Sequence, residues 1–305
     1  MRQYLKQWFY RIMLCFALFS CQTNEQVIFP AEEKKLVIES VFNTDNNFEV
    51  KVYLPKTLSE TGAYEYRPNC KVEIQLPGKT INLNYNSVSK SYVSTNSQPI
   101  KGTLYKLRVE DPVYGIVTSD EIIPLSPNDI SIDNIIKNIV SVDTSLSKGI
   151  LYNYNLEMKI PLTNGLTPVL YNIILKEKIK QNGNIIERPV EISSVGDSSP
   201  IVQIMYHKAG ILIDGNENNG SNILNLTLSC STYENLPQDS LIAVSFDLRN
   251  VSENYYKYYN SVNLQILQAN NPLESPPPLY TNIKNGYGIF AGYNTVKQSI
   301  NFPKH

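Results

Sequence analysis

The chain is poor in the residues that most enzymes use. Of 305 residues only two are histidine, His207 and the terminal His305, and only four are cysteine. A Ser-His-Asp or Cys-His site needs a histidine with an orienting partner. His207 stands in Ile204-Met205-Tyr206-His207-Lys208-Ala209-Gly210, with no nucleophile motif beside it. Four cysteines and two histidines also give little from which to build a zinc site. No basic tract exceeds Lys34-Lys35, so neither nucleic acid nor an anionic lipid surface is an expected partner. Gly286-Tyr287-Gly288 has two glycines of a phosphate loop but lacks the third glycine and a following helix. No metal ligands, cofactor or catalytic residues are assigned, and the chain is read as a non-enzyme.

Two weaker patterns stand in the second half of the chain. Asp214-Gly215-Asn216-Glu217-Asn218 alternates oxygen ligands as a calcium loop does. The expected glycine is Asn219 and the closing glutamate is Asn225, which favours a polar turn. Asp239-Ser240-Leu241 resembles a short acceptor motif for O-glycosylation.

The N-terminus does carry a signal. Arg2, Lys6 and Arg11 precede the apolar run Ile12-Met13-Leu14-Cys15-Phe16-Ala17-Leu18-Phe19, and Ser20-Cys21 follows. A basic segment, a short apolar core and a small residue at the cut describe an export signal. Eight apolar residues make a helix of roughly 12 Å, against a hydrocarbon core of roughly 30 Å. Leu18-Phe19-Ser20-Cys21 is similar to a lipobox. Cleavage is expected between Ser20 and Cys21, with the Cys21 thiol carrying a diacylglyceryl group. Loss of residues 1–20 leaves 24 basic against 28 acidic residues, a net charge of −4.

Residues 21–33 are polar and interrupted by proline, and form an expected tether. Strand-like alternation then begins. Leu36, Ile38, Ser40 and Phe42 share one face, and Phe48, Val50, Val52 and Leu54 share another. Asn43-Thr44-Asp45-Asn46-Asn47 between them suits a hairpin. Further period-two runs reach Pro124, and residues 34–125 are expected to form a β-sandwich. Pro124 to Asp133 concentrates turn formers and marks the expected boundary. A second β-rich domain, 130–305, holds one segment of a different period. Ser252 is the expected N-cap, and Tyr255, Tyr259, Val262 and Ile266 recur at helical spacing, predicting a helix over about 253–267. The tail beyond it reads as turns, rich in Pro276, Pro277, Pro278 and glycines.

Cys70 and Cys230 are the cysteines left in the body. An exported chain can pair them, yet each shares strand parity with apolar neighbours and reads as a small buried hydrophobe. Pairing stays open at this level.

Several segments together resemble a known family. They are Leu36-Val37-Ile38-Glu39-Ser40, Tyr105-Lys106-Leu107-Arg108-Val109, Val251–Tyr258, Asn271-Pro272-Leu273 and, most specifically, Asn282-Ile283-x-x-Gly286-x-Gly288-Ile289-Phe290-x-Gly292-Tyr293. The order is similar to the Bacteroidota lipoproteins catalogued as domain of unknown function 4249 (DUF4249). The resemblance implies an immunoglobulin-like N-terminal domain and a lipid-anchored outer-membrane protein, with the cell surface favoured over the periplasmic face. Gln22-Thr23-Asn24-Glu25 supplies a single acid where surface export is associated with an acidic run. Members are often encoded beside TonB-dependent transporters, which implies an accessory role in nutrient uptake. A surface binding module or adhesin for glycan or protein is the alternative, and a hydrolase a remote one. The signature residues are expected to be structural, with Ile289, Phe290 and Tyr293 packing inward.

Overall fold

The computed structural model describes residues 34–56, 62–128, 131–143, 149–161, 169–181, 183–194, 201–203, 210–215, 223–234, 239–268, 275 and 277–301. The export signal, Ser20, Cys21, the tether, His207, His305 and Asn216–Asn219 lie outside the described residues.

The first eight strands are β1 (Val37–Phe42), β2 (Glu49–Leu54), β3 (Glu65–Tyr66), β4 (Lys71–Leu76), β5 (Lys79–Asn86), β6 (Ser91–Val93), β7 (Leu104–Asp111) and β8 (Gly115–Ile122). Their period-two alternation puts Ile38, Phe48, Val50, Val52, Ile74, Leu107, Val109 and Val117 into one core. Phe42 and Phe48 stack at 5.2 Å, and both meet Tyr105 of β7 edge-on. β1 and β2 thus pack on β4, β7 and β8 as the two layers of a sandwich.

The second group is β9 (Ser131–Asp143), β10 (Gly149–Pro161), β11 (Leu170–Gln181), β12 (Asn184–Val190), β13 (Ile192–Ser194), β14 (Ile201–Gln203), β15 (Ile211–Asp214), β16 (Ile223–Glu234) and β17 (Asp239–Val251). A four-stranded sheet, β13-β16-β10-β9, faces β15, β11 and β17. Tyr154, Leu156 and Met158 interlock there with Ile173, Leu175, Phe246 and Leu248. Helix α1 (Glu253–Gln268) and strand β18 (Tyr287–Asn301) are the last described elements. Among the described residues the architecture is mostly β with one helix, Glu253–Gln268, as the periodicity implied.

The tail departs from the turn-rich expectation, because β18 runs for 15 residues. Its first part pairs in parallel with β1, from Val37↔Tyr287 to Phe42↔Gly292. Its second part pairs antiparallel with β17, from Val251↔Tyr293 to Ala243↔Asn301. One sheet, β14-β15-β11-β17-β18-β1-β2-β6-β5-β4-β7-β8, therefore passes through both sandwiches. The segment after β8 is tied to this strand: Asn294 Nδ2 donates to the Pro124 carbonyl at 2.7 Å, and Asn250 Nδ2 to that of Leu125 at 3.0 Å.

Helix α1 lies on the sheet face opposite both cores. Tyr255 packs there with Leu170, Leu212, Val251, Ile289 and Ala291. Ser252 is its N-cap, accepting the Tyr255 N–H at 3.2 Å. Among the described residues no helix is long and apolar enough to cross a membrane.

Candidate functional site

Strand alternation decides what the outer face of the sheet carries. Val52 and Leu54 point into the first core, so Lys51 and Tyr53 stand on the opposite side. Tyr53 pairs with Tyr66 across β2 and β3, and its ring lies 5.9 Å from Tyr66 and 4.9 Å from Tyr64. From the helix, Tyr258 meets Tyr259 edge-on at 5.5 Å, Tyr259 packs tilted on Tyr255 at 4.5 Å, and Tyr255 reaches Tyr293 of β18 at 6.0 Å. Val41 of β1, the strand beside β2, packs against the same cluster as Tyr258 and Tyr259, and burial, then Glu39 and Tyr258, push the Tyr53 phenol up. A band of tyrosines thus runs from edge strand β3 over β2 and α1 to β18.

The band grades from buried to open. Tyr255 is enclosed, Tyr53, Tyr66, Tyr258 and Tyr259 are half-buried, and Tyr64 is 52% exposed. Cations decorate it: Lys56 lies 5.0 Å over Tyr64, Lys90 5.5 Å over Tyr66, and the Arg249 guanidinium 4.4 Å over Tyr293. A rigid ring with a polar tip loses little entropy on binding, which is why tyrosine is enriched at contact surfaces.

A polar cavity of about 310 Å³ opens at the far end of this face, lined by Val41, Asn43, Asn46, Asn47, Glu49, Val93 and Tyr293 among others. Asn43 organises it. Its Nδ2 donates to the Tyr293 hydroxyl at 2.9 Å, and its Oδ1 accepts the Asp45 N–H and Asn46 Nδ2. A second cavity, of about 350 Å³, is lined by Lys106, Arg108, Thr118, Asp120 and Lys284. Arg108 there is engaged by Glu110 at 2.8 Å and Glu73 at 3.8 Å.

Buried charge in the first sandwich sits elsewhere. Asp111 accepts from Arg67, from the Val113 and Tyr114 N–H groups and from the Cys70 thiol. Burial raises its carboxyl, but these donors outweigh that and hold it down at about 2. Glu121 behaves oppositely. Burial pushes it up to about 7 despite hydrogen bonds from Ser252, the Ile122 N–H and Asn254. The Ser252 hydroxyl is committed to the helix cap and to Glu121, so it does not present itself as a nucleophile. Among the described residues no three His, Cys, Asp or Glu side chains converge as metal ligands.

The signature residues gather at β18. Gly288 adopts φ +102°, and a Cβ there would sit 1.9 Å from the Ile38 carbonyl oxygen; at Gly286 one would meet the Leu36 oxygen at 2.8 Å. At Gly292 it would press on Ile123 at 3.0 Å. The glycines thus let β18 approach β1 and the end of β8. Asn282 accepts the Phe290 N–H at 3.0 Å and donates to its carbonyl at 2.7 Å. Ile283 and Phe290 enter the first core. Ile289 and Tyr293 do not pack with them: alternation along the strand turns both to the opposite face, under the helix.

Cys70 and Cys230 are both free. Cys230 lies in the second core, while Cys70 borders the first and gives its thiol to Asp111 at 3.3 Å. Asp214 ends β15 and Asp239 begins β17. The sequence offers a signal only for Tyr53, whose parity on β2 opposes Val52 and Leu54; Tyr66 lies on the two-residue strand β3 and Tyr64 just before it, too short a run to show a period.

Two sandwiches joined by a shared sheet, with a tyrosine band on that sheet's helix-bearing face, define a mostly β protein among the described residues. The chain belongs to the family described as Domain of unknown function (DUF4249), which matches residues 22–299. No curated protein matches the chain.

Proposed function

We propose that this protein is a lipid-anchored, non-enzymatic accessory protein of the bacterial outer membrane that docks onto a TonB-dependent transporter through its tyrosine face. The observation that carries the docking step is the band from Tyr64 to Tyr293, open at one end and locked to the core at the other. Rings fixed in this way lose little further freedom when a partner covers them. The choice of partner follows the genomic habit of the family the chain resembles. The anchor follows the lipobox at Cys21.

The test is co-purification from native outer membranes in mild detergent, using C-terminally tagged protein beside a Cys21→Ala variant. The expected result is a β-barrel with a plug domain recovered in near-equal amount with the wild type and depleted with the variant. A wild-type protein that stays in the membrane fraction without any such barrel contradicts the proposal.

A further inference from the structure

The cavity between the β1–β2 hairpin and β18 is built, rather than left over between loops. Thr44 Oγ1 donates to Asn294 Oδ1 at 2.9 Å, and Asn294 Nδ2 in turn holds the Pro124 carbonyl, so the hairpin is tied to β18. Asn43 clamps the Tyr293 hydroxyl and the Asn46 amide, and the Arg249 guanidinium covers the Tyr293 ring at 4.4 Å. The Asn43 oxygen accepts twice in this arrangement, and its amide nitrogen donates to Tyr293. Asn46, Asn47 and Glu49 complete the polar lining, and Val41 and Val93 supply apolar wall. Neither Asn47 nor Glu49 has a side-chain hydrogen bond to the other described residues, and both are exposed.

The lining chemistry selects a ligand class. Its only ionisable acid is Glu49 and it contains no cation, which disfavours phosphate and carboxylate ligands. Amide side chains both donate and accept, and so do hydroxyl groups; a carboxylate accepts from hydroxyls in pairs. An aromatic ring beside such groups suits the apolar C–H face of a ring-shaped polyol. A volume of about 310 Å³ stands at the lower end of ligand sites and suits one pyranose unit. We infer that the Asn46–Asn47–Glu49–Tyr293 cavity is a binding site for a single unit of a neutral saccharide. This inference does not rest on the docking proposal: of the tyrosine band only Tyr293 lines the cavity, and the open end at Tyr53, Tyr64 and Tyr66 takes no part.

The test is saturation-transfer NMR with affinity titration on the full chain in detergent. The probes are methyl β-D-glucopyranoside, methyl β-D-galactopyranoside and methyl α-D-mannopyranoside, with glucose 1-phosphate as the anionic comparator. At least one neutral pyranoside shows transfer to its ring protons. Its affinity falls by about tenfold or more in Asn47→Ala and in Glu49→Ala, stays unchanged in Tyr64→Ala, and exceeds that of glucose 1-phosphate. Both altered side chains are exposed, and circular dichroism confirms that each variant is folded. Absence of transfer from all three pyranosides, an affinity unaltered by both cavity variants, or tighter binding of the phosphate overturns the inference.

Discussion

Asn282 holds Phe290 by both of its main-chain groups, its side-chain amide replacing the strand that the outer edge of β18 lacks at that point. Parallel pairing with β1 occupies one edge of β18 here, and β17 joins the other only from Tyr293 onward. Phe290 meanwhile sits 4.6 Å from Phe42 in the first core. One amide therefore fixes the strand that joins the two sandwiches.

Asn282→Ala leaves a half-buried N–H and carbonyl without partners. Each such group costs about 1–3 kcal/mol, so the variant loses several degrees in Tm by calorimetry. Asn282→Asp keeps the acceptor for the Phe290 N–H but loses the donor to its carbonyl, and falls below the wild type as well.

Gly288→Ala is the more severe change. The backbone at φ +102° disfavours any side chain, and the new methyl would meet the Ile38 carbonyl at 1.9 Å. A loss above about 4 kcal/mol is expected, read as loss of cooperative unfolding or failure to accumulate. Gly78→Ala, which also has positive φ but open space around it, costs only about 1 kcal/mol.

Glu121 makes stability depend on pH. Its Oε2 accepts from Ser252 Oγ at 2.8 Å and Asn254 Nδ2 at 3.1 Å, joining β8 to the start of α1. Burial raises its carboxyl from 4.5 to about 7, and nearby Asp120 adds to the rise. The folded state then keeps a proton that the unfolded chain has released. Stability contributed by this group is full below about pH 4.5, falls as pH rises towards 7 and levels above it, by an upper value of roughly 3 kcal/mol. Urea titrations at pH 5 and pH 8 read this difference, and Glu121→Gln flattens it. An unchanged slope in that variant assigns the pH dependence to other groups.

The two body thiols are expected to be slow. Burial pushes both up to about 12, with Asp111 adding to the rise at Cys70 and Glu177 at Cys230. The thiolate is the reactive form. In a Cys15→Ser, Cys21→Ser chain, Ellman's reagent at pH 8 therefore modifies both thiols far faster after unfolding in guanidinium than before it. Prompt reaction of either thiol in the native protein contradicts this.

Much of this architecture was legible before any coordinates. Leu36, Ile38 and Phe42, then Phe48, Val50 and Val52, alternate with period two because one face of each strand is buried. Ser252 followed by Tyr255 and Tyr259 announced the helix, since a cap and a three-to-four spacing are local properties. The parallel pairing of β1 with β18 was not legible. It joins Val37 to Tyr287 across the whole chain, and the glycines that make the approach possible read locally as turns. The tyrosine band shares this non-local origin, because position 53 meets 64 and 66 and comes under the influence of 258 only after the sheet forms. The Asn43–Tyr293 clamp likewise spans 250 residues.

The docking proposal stands or falls on what touches Tyr64. A Tyr64→p-benzoylphenylalanine variant, irradiated in whole cells, is compared with the same replacement at exposed Ile185 on β12, a strand separated from β2 by β11, β17, β18 and β1. A cross-linked adduct with a plug-containing β-barrel is expected from position 64 and none from position 185. Equal barrel adducts from both positions, or no barrel adduct from position 64 while the protein remains membrane-bound, would contradict it.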